Sequence, residues 1–116
     1  VKKKRSAAAA KQRQRAKDRQ HWLISLEYWA RRFTLKESSA ASEVAMRYAL
    51  PLSRVRDIAS ANRKEVEDFA AQRADAALNN GTAEHDALKL GLSRDEAARR
   101  IGWEDVLLYC TIPTVT

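Results

Sequence analysis

The sequence predicts an all-α domain of about five or six helices with a long basic N-terminal helix or arm. Three observations predict it. Strong helix formers (Ala, Arg, Lys, Glu, Leu) dominate, while Gly and Pro number only three and two. Apolar residues recur at three- and four-residue steps rather than alternately. No strand pattern and no repeat of the solenoid kind occurs anywhere in the chain. At 116 residues, 45% hydrophobic and 32% charged, the chain has material for one core.

Val1–Ser6 is a short cationic tail. From Ala7 the text AAAAKQRQRAKDRQ has no β-branched residue, Gly or Pro. It runs into HWLISLEYWARRF, where Trp22, Leu23, Leu26, Trp29, Ala30 and Phe33 form one apolar stripe. A helix from Ala7 to Phe33 would be about 40 Å long. Its first half is polar all round, so it must project from the core or lie on something else.

Thr34 and Glu37 have the spacing of a capping box, opening a second helix to Ala49 with Ala41, Val44, Ala45 and Tyr48 inward. Leu50-Pro51 interrupts it, because the residue before a proline is pushed out of helical geometry. A third helix from Pro51 or Ser53 carries the stripe Val55, Ile58, Ala59, Asn62, Val66, Phe69, Ala70, Ala77 and Leu78, and ends at Asn79-Asn80-Gly81. Thr82 caps a short fourth helix through Ala87, Leu88 and Leu90, stopped by Gly91. Ser93 and Glu96 form another capping box for a fifth helix that Gly102 closes. Trp103–Tyr109 is then a last apolar turn or two before a β-branched tail.

Charge is segregated. Residues 1–19 hold Lys2, Lys3, Lys4, Arg5, Lys11, Arg13, Arg15, Lys17 and Arg19 against the single acid Asp18, a net +8. The whole chain is at +7, so residues 20–116 sit near neutrality. The division expected is therefore a basic nucleic-acid-binding arm, 1–19, and a single helical domain, 20–116.

Enzymatic chemistry is not expected. His21 and His85 fall in different helices without ligand spacing, and all three glycines read as helix stops rather than a phosphate cradle. The acidic pairs Glu67/Asp68 and Glu104/Asp105 are sequence neighbours whose side chains diverge on a helix. No cofactor or metal is implied. Trp22, Trp29 and Trp103 could stack on bases, but Trp22 and Trp29 lie seven apart on the apolar stripe and read first as core. The lone Cys110 reads as buried filler and points to an intracellular, reducing compartment. No apolar run reaches membrane-spanning length, so no membrane partner is expected. The chain opens on Val rather than Met, and trimming, an alternative start codon and a removed leader all stay open.

Ala41–Ser60 resembles the helix-turn-helix family of DNA-binding proteins. Val44, Tyr48, Leu50, Val55 and Ile58 fill the family's apolar slots, and Ala45 fills its small-residue slot. The departure is Ala49, where the family usually has Gly, with Pro51 following in the turn. The resemblance implies that Ser53, Arg54, Arg56, Asp57 and Ser60 begin a recognition helix, with Asn62 and Arg63 further along. Arg56 is the first candidate for a base or phosphate contact, since bidentate Arg on guanine is the commonest specific contact. Half-site recognition would imply a homodimer, with the apolar C-terminal segment as its interface. The segment 93–110 fits the same slots, but its second helix would begin Glu104-Asp105 and face phosphates with carboxylates; it reads as core or protein contact. The stretch AKQRQRAKDRQHW, about 13 residues, resembles the arginine-rich RNA-binding peptides of phage antiterminators.

The expected partner is nucleic acid, DNA favoured over RNA. The nucleic-acid-binding candidates are Lys2, Lys3, Lys4, Arg5, Lys11, Arg13, Arg15, Lys17, Arg19, Ser53, Arg54, Arg56 and Arg63. The alternative is an RNA-binding structural component of a ribonucleoprotein such as an organellar ribosome.

Overall fold

The computed structural model describes the backbone of residues 2–111 and the side chains of residues 9–111. The fold is all-α, with six helices: α1 (Lys2–Arg32), α2 (Glu37–Tyr48), α3 (Leu52–Ala61), α4 (Arg63–Asn79), α5 (Thr82–Leu90) and α6 (Arg94–Thr111). The backbone extends 62 × 31 × 28 Å with a radius of gyration of 17.3 Å. A compact chain of this length would have about 13 Å. The excess comes from α1, whose 31 residues run to about 46 Å.

The second half of α1 is the centre of the molecule rather than a stripe resting on one side. Residues 24–28 are buried without a break, including Ser25 and Glu27. One side of α1, through Ile24 and Tyr28, packs on Ala41 and Val44 of α2 and on Val55, Ile58 and Ala59 of α3. The other side, through Leu26 and Ala30, packs on Val66 and Ala70 of α4 and on Val106 and Cys110 of α6. Trp29 touches both clusters. A third cluster of Ala77, Ala83 and Ala98 joins α4, α5 and α6 at the far end.

Four sequence expectations are corrected. Thr34 does not cap α2. The helix starts after Lys36, which has extended φ/ψ and no side-chain cap. The amides of Thr34 and Leu35 both turn back to the carbonyl of Arg31, and the Glu37 carboxylate is drawn to Tyr28 and Arg56. The third helix is two helices, broken at Asn62 (φ −109°, ψ 11°). Side chains from α1 take carbonyls there: Trp29 Nε1 donates to Ala59 O at 2.9 Å and Ser25 Oγ to Ile58 O at 3.3 Å, while the Nδ2 of Asn62 itself donates to both Ser25 Oγ and Ile58 O.

Gly102 does not end the fifth helix, since α6 runs unbroken through it to Thr111. A Cβ at Gly102 would lie 2.6 Å from the carbonyl oxygen of Ala70, so glycine here lets α6 and α4 approach. The would-be turn of the second helix-turn-helix match is therefore the middle of a helix. Finally, Gly81, not Thr82, caps α5, and Asn80 Oδ1 accepts from the Thr82 amide. The α5 residues that face inward are Ala83 and Ala87, with Leu88 standing 88% exposed.

Other expectations hold. Ala41 and Val44 are buried on α2, with Ala45 and Tyr48 packed beside them. Ser93 Oγ accepts from the Glu96 amide at 3.2 Å. Gly91 ends α5 in the left-handed region, φ 68°.

Candidate nucleic-acid interface

Every residue from Ala10 to Gln20 is exposed on α1. Lys11, Arg13, Arg15, Lys17 and Arg19 take part in no ion pair among the described residues, and the one acid nearby, Asp18, accepts from Gln14 Nε2 at 2.8 Å. All ion pairs of the described residues lie further along the chain, where they engage Arg31, Arg47, Arg56, Arg63, Arg94 and Arg100. Six of the thirteen basic residues after position 19 are thus paired, and the arm's described cations stand free. The side chains of Lys2, Lys3, Lys4 and Arg5 lie outside the described residues.

The expected boundary near residue 19 falls inside one unbroken helix. The arm's cations are thus fixed in direction relative to α3. Asp18, His21 and Trp22 of α1 line a cleft of about 350 Å³ with Arg54, Asp57, Ile58 and Ala61 of α3 and with Asn62. Arg54 stands exposed at its edge and forms no ion pair among the described residues. The His21 imidazole is held below its ordinary pKa, first by desolvation and then by the Arg54 and Lys17 charges; Asp18 opposes them.

The α2–α3 unit buries or half-buries the apolar residues of the expected slots. Val44, Val55 and Ile58 are buried in one cluster, with Ala45, Tyr48 and Leu50 packed against it. Ala49 adopts φ 53°, ψ 48°, and its amide donates back to Ala45 O. It is the sole non-glycine residue with positive φ among the described residues, at the position where the family's glycine would stand. A left-handed alanine costs roughly 1 kcal/mol relative to glycine, which the packed slots on either side offset.

The other expected readers are less free. Arg56 is clamped on Glu37: its Nε lies 3.1 Å from both carboxylate oxygens and its Nη2 2.8 Å from Oε1. Glu37 Oε2 also accepts from the Tyr28 hydroxyl at 2.7 Å. These bonds, Arg56 first, hold the Glu37 carboxyl below its ordinary value. Arg63 lies over the Trp29 ring at 4.9 Å and pairs with Glu67. Ser53 is exposed in the first turn of α3 beside Leu52, itself 41% exposed. Sequence spacing named Arg56 over Arg54 because Glu37, nineteen residues away, gives no local signal of the clamp.

Burial, then the bond to Glu37, raises the Tyr28 hydroxyl from 10.0 to about 12. Because the folded value is raised, its stabilising contribution is whole below pH 10 and is lost as pH climbs from 10 to about 12. We expect Tyr28→Phe to remove that part of the alkaline destabilisation, read by circular dichroism alongside tyrosinate absorbance.

The expected interface segment is mostly spent internally. Val106 and Cys110 are buried, Trp103 and Leu107 partly so, and Leu108 and Tyr109 are about half exposed. Burial pushes the Cys110 thiol up to about 11, as suits an inert core cysteine. Among the described residues, no helix is long and apolar enough to cross a membrane, and no group of three His, Cys, Asp or Glu could hold a metal ion. No family model, curated protein or solved structure matches the chain.

Proposed function

We propose that the protein binds duplex DNA, with the projecting half of α1 as its main source of affinity and α2–α3 as a helix-turn-helix-type second contact. The observation that carries this is the contrast in charge: five cations on an exposed helix with no ion pair among the described residues, beside a body in which six of ten arginines are paired. Free cations displace counterions from phosphates without first breaking ion pairs of their own. The left-handed Ala49 and the filled apolar slots support the second contact. Arg54, not Arg56, is its contacting residue, because Arg56 would have to leave Glu37 to act.

One observation favours a second reading, an RNA-binding component of a ribonucleoprotein such as an organellar ribosome. Cations stand on more than one side of the arm, which suits a helix surrounded by folded RNA.

Fluorescence anisotropy with duplex DNA and structured RNA of equal length tests both. We expect Arg54→Ala to weaken duplex binding about five- to tenfold and Arg56→Ala to leave it within about twofold. Equal losses at the two positions would remove the assignment of Arg54. Tighter binding to RNA, indifferent to Arg54, would transfer the function to the second reading. No binding to either nucleic acid would overturn both.

A further inference from the structure

The arm's basic residues follow a step of two: Lys11, Arg13, Arg15, Lys17, Arg19. In a strand this would place all of them on one face. The arm is helical through this stretch, and at about 100° per residue a step of two swings to the opposite side. Lys11, Arg15 and Arg19 therefore share one face, spread over an arc of about 80°. Arg13 and Lys17 share another, whose centre lies about 180° away. The helix thus carries two opposed cationic faces.

The two edges between these faces differ. One carries Gln14 and Asp18, joined by their 2.8 Å hydrogen bond, and leads directly to the Asp18–His21 cleft where α3 lies. The other carries Gln12, Ala16 and Gln20, and has no acid. A helix resting on the outside of a duplex needs cations on one face alone. A helix lying within a groove has a phosphate strand on either side, bases below and solvent above. Two opposed cationic faces, an acid-free edge of small and amide side chains and a carboxylate edge match those four surroundings in order.

We infer that the basic half of α1 lies in the major groove of duplex DNA, Lys11, Arg15 and Arg19 facing one phosphate strand, Arg13 and Lys17 the other. Gln12 and Ala16 face the base edges, and Gln14 and Asp18 face solvent. This rests on the DNA-binding function proposed above and adds the groove and the orientation. The B-DNA major groove, about 12 Å wide, admits a helix about 10–12 Å across; the A-form groove of RNA is too narrow. Gln and Ala are side chains suited to such a floor, Gln to adenine and Ala to the thymine methyl.

The test uses the full chain and a duplex DNA probe in fluorescence anisotropy across a salt series, with circular dichroism confirming that each variant folds. K11Q/R15Q/R19Q should reduce the magnitude of the log–log salt slope by about 3, and R13Q/K17Q by about 2. Ala16→Glu and Gln14→Glu add the same charge on opposite edges. The first should weaken binding at least tenfold more than the second. Duplex carrying bulky glucosyl groups in the major groove should lose the arm's contribution, whereas a minor-groove ligand should not compete.

A loss confined to one cationic face, equal effects of the two Glu substitutions, or competition by the minor-groove ligand would overturn the placement while leaving DNA binding intact. Absence of duplex binding by the unsubstituted protein, or stronger binding to structured RNA with both faces contributing, would overturn the DNA function beneath it as well.

Discussion

Gly102→Val is expected to destabilise the fold by about 3 kcal/mol, the upper part of the range for inserting side-chain volume where none fits. The Cβ of any residue at this position would stand 2.6 Å from Ala70 O and 3.2 Å from the Ala74 amide nitrogen, both backbone atoms that no rotamer change can move. The α4–α6 pair is the most extensive helix contact in the molecule, so separating it exposes Val66, Ala70 and Val106 together. Gly102→Ala should lose less, because alanine regains about 1 kcal/mol of helix propensity. Urea unfolding would show the losses as a lower midpoint at unchanged slope. A Gly102→Ala protein more stable than the parent would mean that propensity alone decides here, and that α4 and α6 are not held at this spacing.

Gly102 also illustrates what the sequence could and could not convey. A glycine that ends a helix and a glycine that admits a neighbouring helix look alike in one dimension. Gly91 is the former, with φ 68°; Gly102 is the latter. The difference is made by Ala70 and Ala74, some thirty residues away. Local signals with local causes survived: the Ser93 cap, the Leu50-Pro51 break, the inward face of α2 and the end of α1 near Phe33; its start did not, since α1 already begins at Lys2, inside the expected tail, rather than at Ala7. Those that depend on contacts between elements did not. Asn62 looked like a tolerated polar residue on one long stripe, whereas Ser25 and Trp29 draw off the carbonyls at that point. The stripe on α1 was legible, but its burial on both sides was not, because Ile24, Ser25, Glu27 and Tyr28 fall off the apolar period.

Glu27 is the largest of these omissions, and it leads to a second strong effect. Its carboxylate is fully buried. Arg31 Nε lies 3.0 Å from Oε2 and Arg31 Nη1 2.6 Å from Glu43 Oε2; Arg47 Nε lies 3.1 Å from Glu27 Oε1. The Arg47 contact is off the hydrogen-bonding direction and leaves Oε1 with no bonded partner, so the Arg31 bond is the stronger support. Arg47 Nη2 continues the network to Cys110 O, linking α2 to the end of α6.

Removing one partner of a buried ion pair typically costs 3–5 kcal/mol. Arg31 is 23% exposed and Arg47 remains, so the lower end applies, about 3 kcal/mol for Arg31→Met. Adding Glu27→Met should recover much of that loss, because the buried charge goes with its partner. Thermal unfolding of the two single variants and the double variant measures the coupling. Strictly additive losses would show that the carboxylate does not depend on Arg31.

The candidate site divides along the same line. The arm was legible because charge segregation is a property of composition along the chain, and the filled slots of α2–α3 because their spacing is local. That Arg56 is engaged was not legible, since Glu37 of α2 occupies it while itself accepting from Tyr28 of α1. The face pattern of the arm was present in the text as a step of two, but it gains meaning once the helix is known to run unbroken into the core.

The most direct measurement is the salt dependence of duplex DNA binding by the intact chain and by a variant with Lys11, Arg13, Arg15, Lys17 and Arg19 all changed to Gln. A parent slope near −5, for about six neutralised phosphates, that collapses towards zero in the variant is the result expected. An unchanged slope in a variant that still folds would place the charge contacts elsewhere and contradict the account.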